Sequence, residues 1–304
     1  MRIGLTGGGS TVDRMVDQAV QAEKDGFTSL WYASAVGGDP LVAMAAAGRA
    51  TSAVELGTSV LQTYPCHPLL QANRAASVVA AIGRGFTLGI GPSHQPVIEG
   101  VYGMSYDRAG LHTEEYVRAV TALLRGEPVD MDGEEVRVHS GGRGLRPDAP
   151  VPVLVAALGP RLLRVAGQWA DGTILWMATA TAVDAHVAPR ITAAADAAGR
   201  PAPRIVAGLP VAVHDDVDAA RQAAAEQFAG YGQLPNYQRI LAHGKVDGPA
   251  AAVITGDEES VTAQIQALFD AGATDFWAAP FPVGTDRSAS RDRTRQLLRE
   301  LAAG

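Results

Sequence analysis

Short apolar runs alternate with helix-like stretches along the whole chain, and this alternation narrows the fold more than any single motif. Strand-like runs are read at about 2–6, 27–33, 54–61, 86–90, 151–157, 171–176, 204–213 and 274–279. Each is followed by a stretch with apolar residues three or four apart; after the first run these are Met15, Val16, Ala19, Val20 and Ala22. Eight such units in 304 residues predict an α/β fold, specifically a (β/α)8 TIM barrel, read as one domain over 1–304. Two stretches fit no unit and are read as insertions, at about 126–150 and 232–256. The first contains a hairpin-like alternation over 127–139 around Asp132-Gly133, a typical two-residue turn, and serves either as a lid or as surface decoration. The second is irregular and punctuated by Pro and Gly.

Composition removes several classes of function. The net charge of −7, without a long basic run, argues against nucleic acid as a partner. No run of eighteen apolar residues occurs, so no membrane partner is expected. The chain enters a strand pattern at once with no apolar leader, and its one cysteine, Cys66, excludes an internal disulfide or a multi-cysteine zinc site. A cytoplasmic protein is expected. Cys66 lies between two prolines with no evident cation nearby, so it is not expected to be a catalytic thiol. No cluster of metal ligands or paired carboxylates gathers at the strand ends, so no metal is expected.

In a parallel barrel, ligands sit at the C-terminal ends of the strands. The third run leaves its strand through Thr58, Ser59, Gln62, Thr63, Tyr64 and His67, a row of hydrogen-bonding groups stiffened by Pro65 and Pro68. The fourth runs into Gly91, Pro92, Ser93 and His94, and Tyr102 and Tyr106 follow. The fifth turns through Leu158-Gly159-Pro160-Arg161 into a helix, which is either an anion site built on free N–H groups or an ordinary helix start. The sixth ends at Trp176-Met177, an apolar wall for a planar ring or simply core. After the first run, GGGS at residues 7–10 lacks the P-loop lysine and the spaced dinucleotide fingerprint, so it reads as a tight βα turn.

Four stretches together resemble the bacterial luciferase-like monooxygenase superfamily, in its coenzyme F420-dependent branch. They are LGTSV at 56–60 with His67-Pro68, LGIGPSHQPVIEG at 88–100, SYDR at 105–108 and AALGPRLLRVAGQWADG at 156–172. The resemblance implies a TIM-like barrel, often a homodimer, holding a deazaflavin (coenzyme F420) or alternatively FMN at the C-terminal rim. Ser59-Val60 matches the family's non-prolyl cis peptide, next to Thr58, behind the ring. Gly91, Pro92 and Ser93 match the segment beside the ring or its ribityl chain. Ala157, Leu158, Gly159 and Pro160 match the turn that receives the cofactor phosphate, with Arg161 beside it, and Ser34 falls where relatives place a ring- or substrate-facing polar group.

One departure narrows the expected activity. The family's sugar-phosphate dehydrogenases carry an Asp-His pair after strand two and a Glu after strand four, where this chain has Ser34-Ala35 and about Pro92-Ser93. The resemblance therefore implies an F420-dependent oxidoreductase that reduces a small unsaturated acceptor. His94 is the first choice of proton donor, with Tyr64 and His67 behind it, and Trp31, Tyr32, Tyr102 and Trp176 shape the acceptor pocket. The alternatives are an FMN-dependent monooxygenase using reduced flavin and O2, and a flavin-binding barrel without turnover.

Overall fold

The computed structural model describes residues 1–33 and 38–304. Eight parallel strands form the barrel: β1 (Ile3–Gly7), β2 (Ser29–Tyr32), β3 (Glu55–Thr58), β4 (Leu88–Gly91), β5 (Val153–Val155), β6 (Gly172–Ile174), β7 (Arg204–Val213) and β8 (Asp275–Pro280). The sheet runs β3-β2-β1-β8-β7-β6-β5-β4. It closes through a bridge between Gly57 and Thr87 and through the short strand Leu61–Gln62, which pairs with Ile90 and Gly91. The expected barrel is the fold observed.

Side chains of each strand alternate between two cores. Those pointing out pack under the helices, including Leu30, Tyr32, Val153, Val155, Ile205 and Phe276. Those pointing in form a smaller cluster of Trp31, Leu154, Ile174, Val206 and Trp277. Two indoles fit inside because the neighbouring strands carry glycine opposite them: a Cβ at Gly57 would run into the Trp31 ring, and one at Gly208 into the Trp277 ring. Below the indoles, Arg204 plugs the N-terminal mouth. It pairs with Glu55 at 2.6 Å and with the almost fully buried Asp275 at 2.6 Å, and Arg2 bonds the same two carboxylates at 2.7 and 2.8 Å. Burial pushes the Asp275 carboxyl up, but the two guanidiniums more than offset this and hold it below the usual range.

The surrounding helices are α1 (Val12–Lys24), α2 (Pro40–Ala50), α3 (Pro68–Ile82), α4 (Ala109–Leu124), α5 (Pro160–Trp169), α6 (Ala188–Ala197), α7 (Val217–Phe228), α8 (Pro235–His243), α9 (Glu258–Asp270) and α10 (Arg287–Ala303). Thr11, Asp39, His67, Asp216, Asp257 and Asp286 cap α1, α2, α3, α7, α9 and α10 by accepting from backbone N–H groups of the first turn. The GGGS turn is closed internally, since the Gln18 amide both donates to and accepts from the Gly8 backbone. No helix among the described residues is long and apolar enough to cross a membrane.

The insertions differ from the expectation in detail. The hairpin pairs Asp130–Asp132 with Arg137–His139, so its loop spans four residues, 133–136, rather than Asp132-Gly133. Three N–H groups, of Glu134, Glu135 and Val136, converge on the Glu115 carboxylate of α4 at 2.8 to 3.0 Å. Burial raises that carboxyl, yet these bonds leave it below its ordinary value, so the hairpin is pinned to the barrel wall. The 232–256 stretch is ordered: it contains α8 and a short strand, Ile254–Gly256, that pairs with the end of β7. The helical period of α8 is hidden in the sequence by the prolines and glycines on either side of it.

Candidate active site

The strand-three exit departs from regular structure where the sequence turns polar. β3 stops at Thr58, the Ser59–Val60 peptide bond is cis, and extended pairing resumes at Leu61. The Ser59 N–H donates to the Tyr32 carbonyl at 2.9 Å, and its Oγ is buried with no partner among the described residues. Val60 packs over the inner cluster, below the rim. There it meets the ends of the next two strands. A Cβ built on Gly91 would lie 3.1 Å from Val60 Cγ2 and 2.8 Å from the Ala156 Cβ. The exits of β3, β4 and β5 thus converge on a small apolar surface of Val60, Gly91 and Ala156.

Trp176 packs on the same inner cluster as Val60 and starts a run of aromatic contacts. Trp176, at the β6 exit, stacks on Trp277 with centroids 5.0 Å apart and meets Tyr231 edge-on at 5.8 Å. The Trp176 Nε1 is buried without a partner among the described residues. Tyr231 meets Tyr237 of α8, and Tyr237 lies 5.5 Å from the ring of His94. His94 follows Pro92 and Ser93, is half-buried, and has its pKa lowered by burial. Ser93 takes a left-handed conformation, φ 63°, and its carbonyl accepts from Tyr106 Oη at 2.7 Å. On the other side of the β4 exit, Tyr102 Oη donates to Gln62 Oε1 at 2.9 Å.

The strand-five exit supplies backbone donors. Ala157 is fully buried and Leu158 half-buried; Gly159 is the N-cap of α5 and brings no side chain to it. Pro160 has no N–H, and the first N–H to bond back into the helix is that of Leu163. This leaves the N–H groups of Gly159, Arg161 and Leu162 unpartnered among the described residues, at the positive end of the helix dipole. A Cβ at Gly159 would meet nothing within 4 Å, so the approach is open. The Arg161 guanidinium is paired with Glu114 at 2.9 Å.

A family model described as luciferase-like monooxygenase matches residues 2–303. The chain belongs to the luciferase-like monooxygenase family. It is 30% identical to the F420-dependent hydroxymycolic acid dehydrogenase of Mycobacterium tuberculosis, over 88% of this chain and 79% of that protein. It is 27% identical to the 5,10-methylenetetrahydromethanopterin reductase of Methanolobus tindarius over 71% of this chain, spanning 65% of that reductase. Among solved structures, an F420-dependent secondary alcohol dehydrogenase in complex with an F420–acetone adduct shares the fold with a TM-score of 0.78 at 20% identity, over 97% of each chain.

Within this luciferase-like barrel, several residues expected at the site lie elsewhere. Thr58 is fully buried and its hydroxyl bridges two strands, donating to Gly89 O at 2.7 Å and accepting from Gly89 N at 2.9 Å. Tyr32 points outward into the main core and donates to the Met15 carbonyl at 2.7 Å, so it cannot line an acceptor pocket. Trp31 points inward but is fully buried beneath the rim, with its Nε1 on Ser29 Oγ and Arg204 over its ring. His67 is the cap of α3: its Nδ1 accepts from Leu69 N–H at 3.2 Å and its Nε2 donates to the Arg137 carbonyl at 2.8 Å. Both ring nitrogens are in use, which removes it as a proton donor. Tyr64 stacks on His112 with centroids 3.9 Å apart, and its hydroxyl is pushed up to about 12 by burial and by nearby Tyr106 and carboxylates. Ser34 lies outside the described residues.

Some features were not read from the sequence. Trp277, Tyr231 and Tyr237 complete the run of aromatic contacts, and the alternation of β8 carried the only signal for the first of them. Cys66 does have a cation beside it, since Arg74 Nη1 approaches its Sγ to 3.4 Å. That guanidinium comes from the second turn of α3, eight residues along the chain.

Proposed function

We propose that the protein is a coenzyme F420-dependent oxidoreductase that reduces a small unsaturated organic acceptor. The observation that carries this reading is the convergence of the Ser59–Val60 bulge, Gly91 and Ala156 beside the open N-terminus of α5. The F420 dependence of the hydroxymycolic acid dehydrogenase described above supports it. Glycine at position 91 lets Val60 and Ala156 close up into one surface against which a planar ring can lie, because any Cβ there would strike both of them. The three free N–H groups at Gly159, Arg161 and Leu162 suit a phosphate, and the orphaned Ser59 Oγ suits a polar edge of the ring. The residues present therefore fit the group.

Bound and reduced, the cofactor supplies a hydride; the protein holds, orients and shields. Val60 backs the ring, Trp176 and Tyr102 border the acceptor, and the helix α8 closes the rim with Tyr237. Reduction needs a proton as well as the hydride, and His94 is a titratable group over the rim that no hydrogen bond engages among the described residues, whereas burial raises the pKa of the neighbouring Tyr237 hydroxyl and makes it the weaker acid. Its lowered pKa sets the sign of the pH dependence. The imidazolium that can donate exists only below the ordinary value of 6.5, so turnover limited by this proton rises as pH falls through that region. The test follows the oxidation of reduced F420 in anaerobic solution with enones, imines and nitro compounds, on wild type and His94→Gln. Wild type should turn over at least one class, and His94→Gln should lose on the order of a hundredfold in kcat together with the acid rise. Absence of turnover across the panel would favour a barrel without activity.

A further inference from the structure

Behind the Gly159 turn lies a buried histidine that the reading above does not use. His186 is 2% exposed and sits in a π-helical turn, Val183–Val187, leading into α6. Such turns are rare, and those that occur are frequently at functional sites. Its Nε2 lies 2.9 Å from the carbonyl oxygen of Leu158. A carbonyl can only accept, so Nε2 carries the hydrogen and Nδ1 is bare. That Nδ1 is buried and has no partner among the described residues. The ring is clamped on its face by His243 of α8, with centroids 3.8 Å apart and planes 15° from parallel. Its own backbone carbonyl is tied to Arg190 at 2.9 Å.

The side chain is thus fixed from several directions, and its one side-chain hydrogen bond is to the peptide unit that begins the phosphate turn. In a trans peptide the carbonyl and the following N–H point opposite ways. Anchoring the Leu158 carbonyl inward therefore turns the Gly159 N–H outward, to the mouth of α5 where the Arg161 and Leu162 N–H groups are also free. We propose that His186 is a positioning residue for anion binding: it sets the Leu158–Gly159 peptide so that the Gly159 N–H faces a phosphate monoester or diester group of the ligand. The contact with His243 links the same peptide to α8, the helix over the rim. This inference rests on the reading of the turn as a phosphate site.

The test is a pair of fluorescence titrations, with coenzyme F420 and with its phosphate-free deazariboflavin fragment. The proteins are wild type, His186→Phe, which keeps a ring against His243 but has no donor, and His186→Gln, which restores an N–H. Wild type should prefer the phosphate-bearing ligand. His186→Phe should bind F420 about tenfold more weakly, the scale of one hydrogen bond, with the fragment changed less than about twofold, and His186→Gln should recover part of the loss. If the Phe variant does not fold, His186→Met removes the donor and carries the same comparison. Unchanged F420 binding, or equal loss for both ligands, overturns the positioning role. Equal affinity of wild type for the two ligands overturns the phosphate reading itself, and does so before any variant is made.

Discussion

His112, on α4, should make this protein sensitive to acid in a way that one substitution removes. Its ring is 8% exposed and lies flat against Tyr64, and its Nε2 has no partner among the described residues. Burial draws its pKa from 6.5 down to about 4, against the opposite pull of Glu115 and the Thr63 carbonyl. With the folded value below the unfolded one, the unfolded chain binds more protons as pH falls. Stability from this group is therefore complete above pH 6.5 and is lost between 6.5 and 4. The two values give a loss of about 2 kcal/mol by pH 5 and about 3 kcal/mol by pH 4. His94 and His186, lowered chiefly by burial, act in the same direction. Guanidinium unfolding of wild type and His112→Phe between about pH 7.5 and about pH 4 measures the term, because the carboxylates titrate alike in both proteins. The Phe ring keeps the stack on Tyr64, so the variant should lose less stability in acid, by about the amounts above. Parallel loss in the two proteins would refute the assignment.

Other residues give sharper tests of single contacts. Gly91→Ala places a methyl 2.8 Å from the Ala156 Cβ and 3.1 Å from Val60 Cγ2, so the surface proposed to back the ring must shift, which should weaken F420 and its phosphate-free fragment alike, by about tenfold or more; unchanged titrations would move the ring elsewhere. Arg204→Met leaves Glu55 and the buried Asp275 at the barrel floor with Arg2 as their remaining cation and should destabilise the fold by about 2–3 kcal/mol, less than the loss of both guanidiniums would cost. Because the floor lies at the opposite end from the rim, its cofactor affinity at low temperature should stay within about twofold of wild type, and a larger drop would argue against separate roles for the two ends.

Much of this architecture was legible in the chain, for reasons that can be named. Strand and helix periods differ, so eight alternations specify a barrel even where individual ends are misplaced by a residue or two. The stretches at Ser59-Val60, Gly91 and Gly159 stood out in the chain through a polar strand exit, through glycine and through the family resemblance. Faces were harder. Trp31 and Tyr32 are adjacent in one strand, so one must point in and the other out, and nothing local says which; the glycine at position 57, paired across from Trp31, holds that information. His67 and Thr58 look like free polar groups in sequence, but His67 caps its own helix through Leu69 and holds the Arg137 carbonyl, and Thr58 bridges to Gly89, the last two being partners dozens of positions away. The role of α8 was invisible because its contacts with His94 and His186 are made only when the barrel is closed.

The central claim is that the exits of strands three, four and five grip a deazaflavin ring with its phosphate at the start of α5. Parallel equilibrium titrations with F420 and FMN, read by fluorescence, test it most directly. Saturable F420 binding with no comparable binding of FMN is the expected result, whereas FMN bound as tightly as F420, or neither bound, would contradict it.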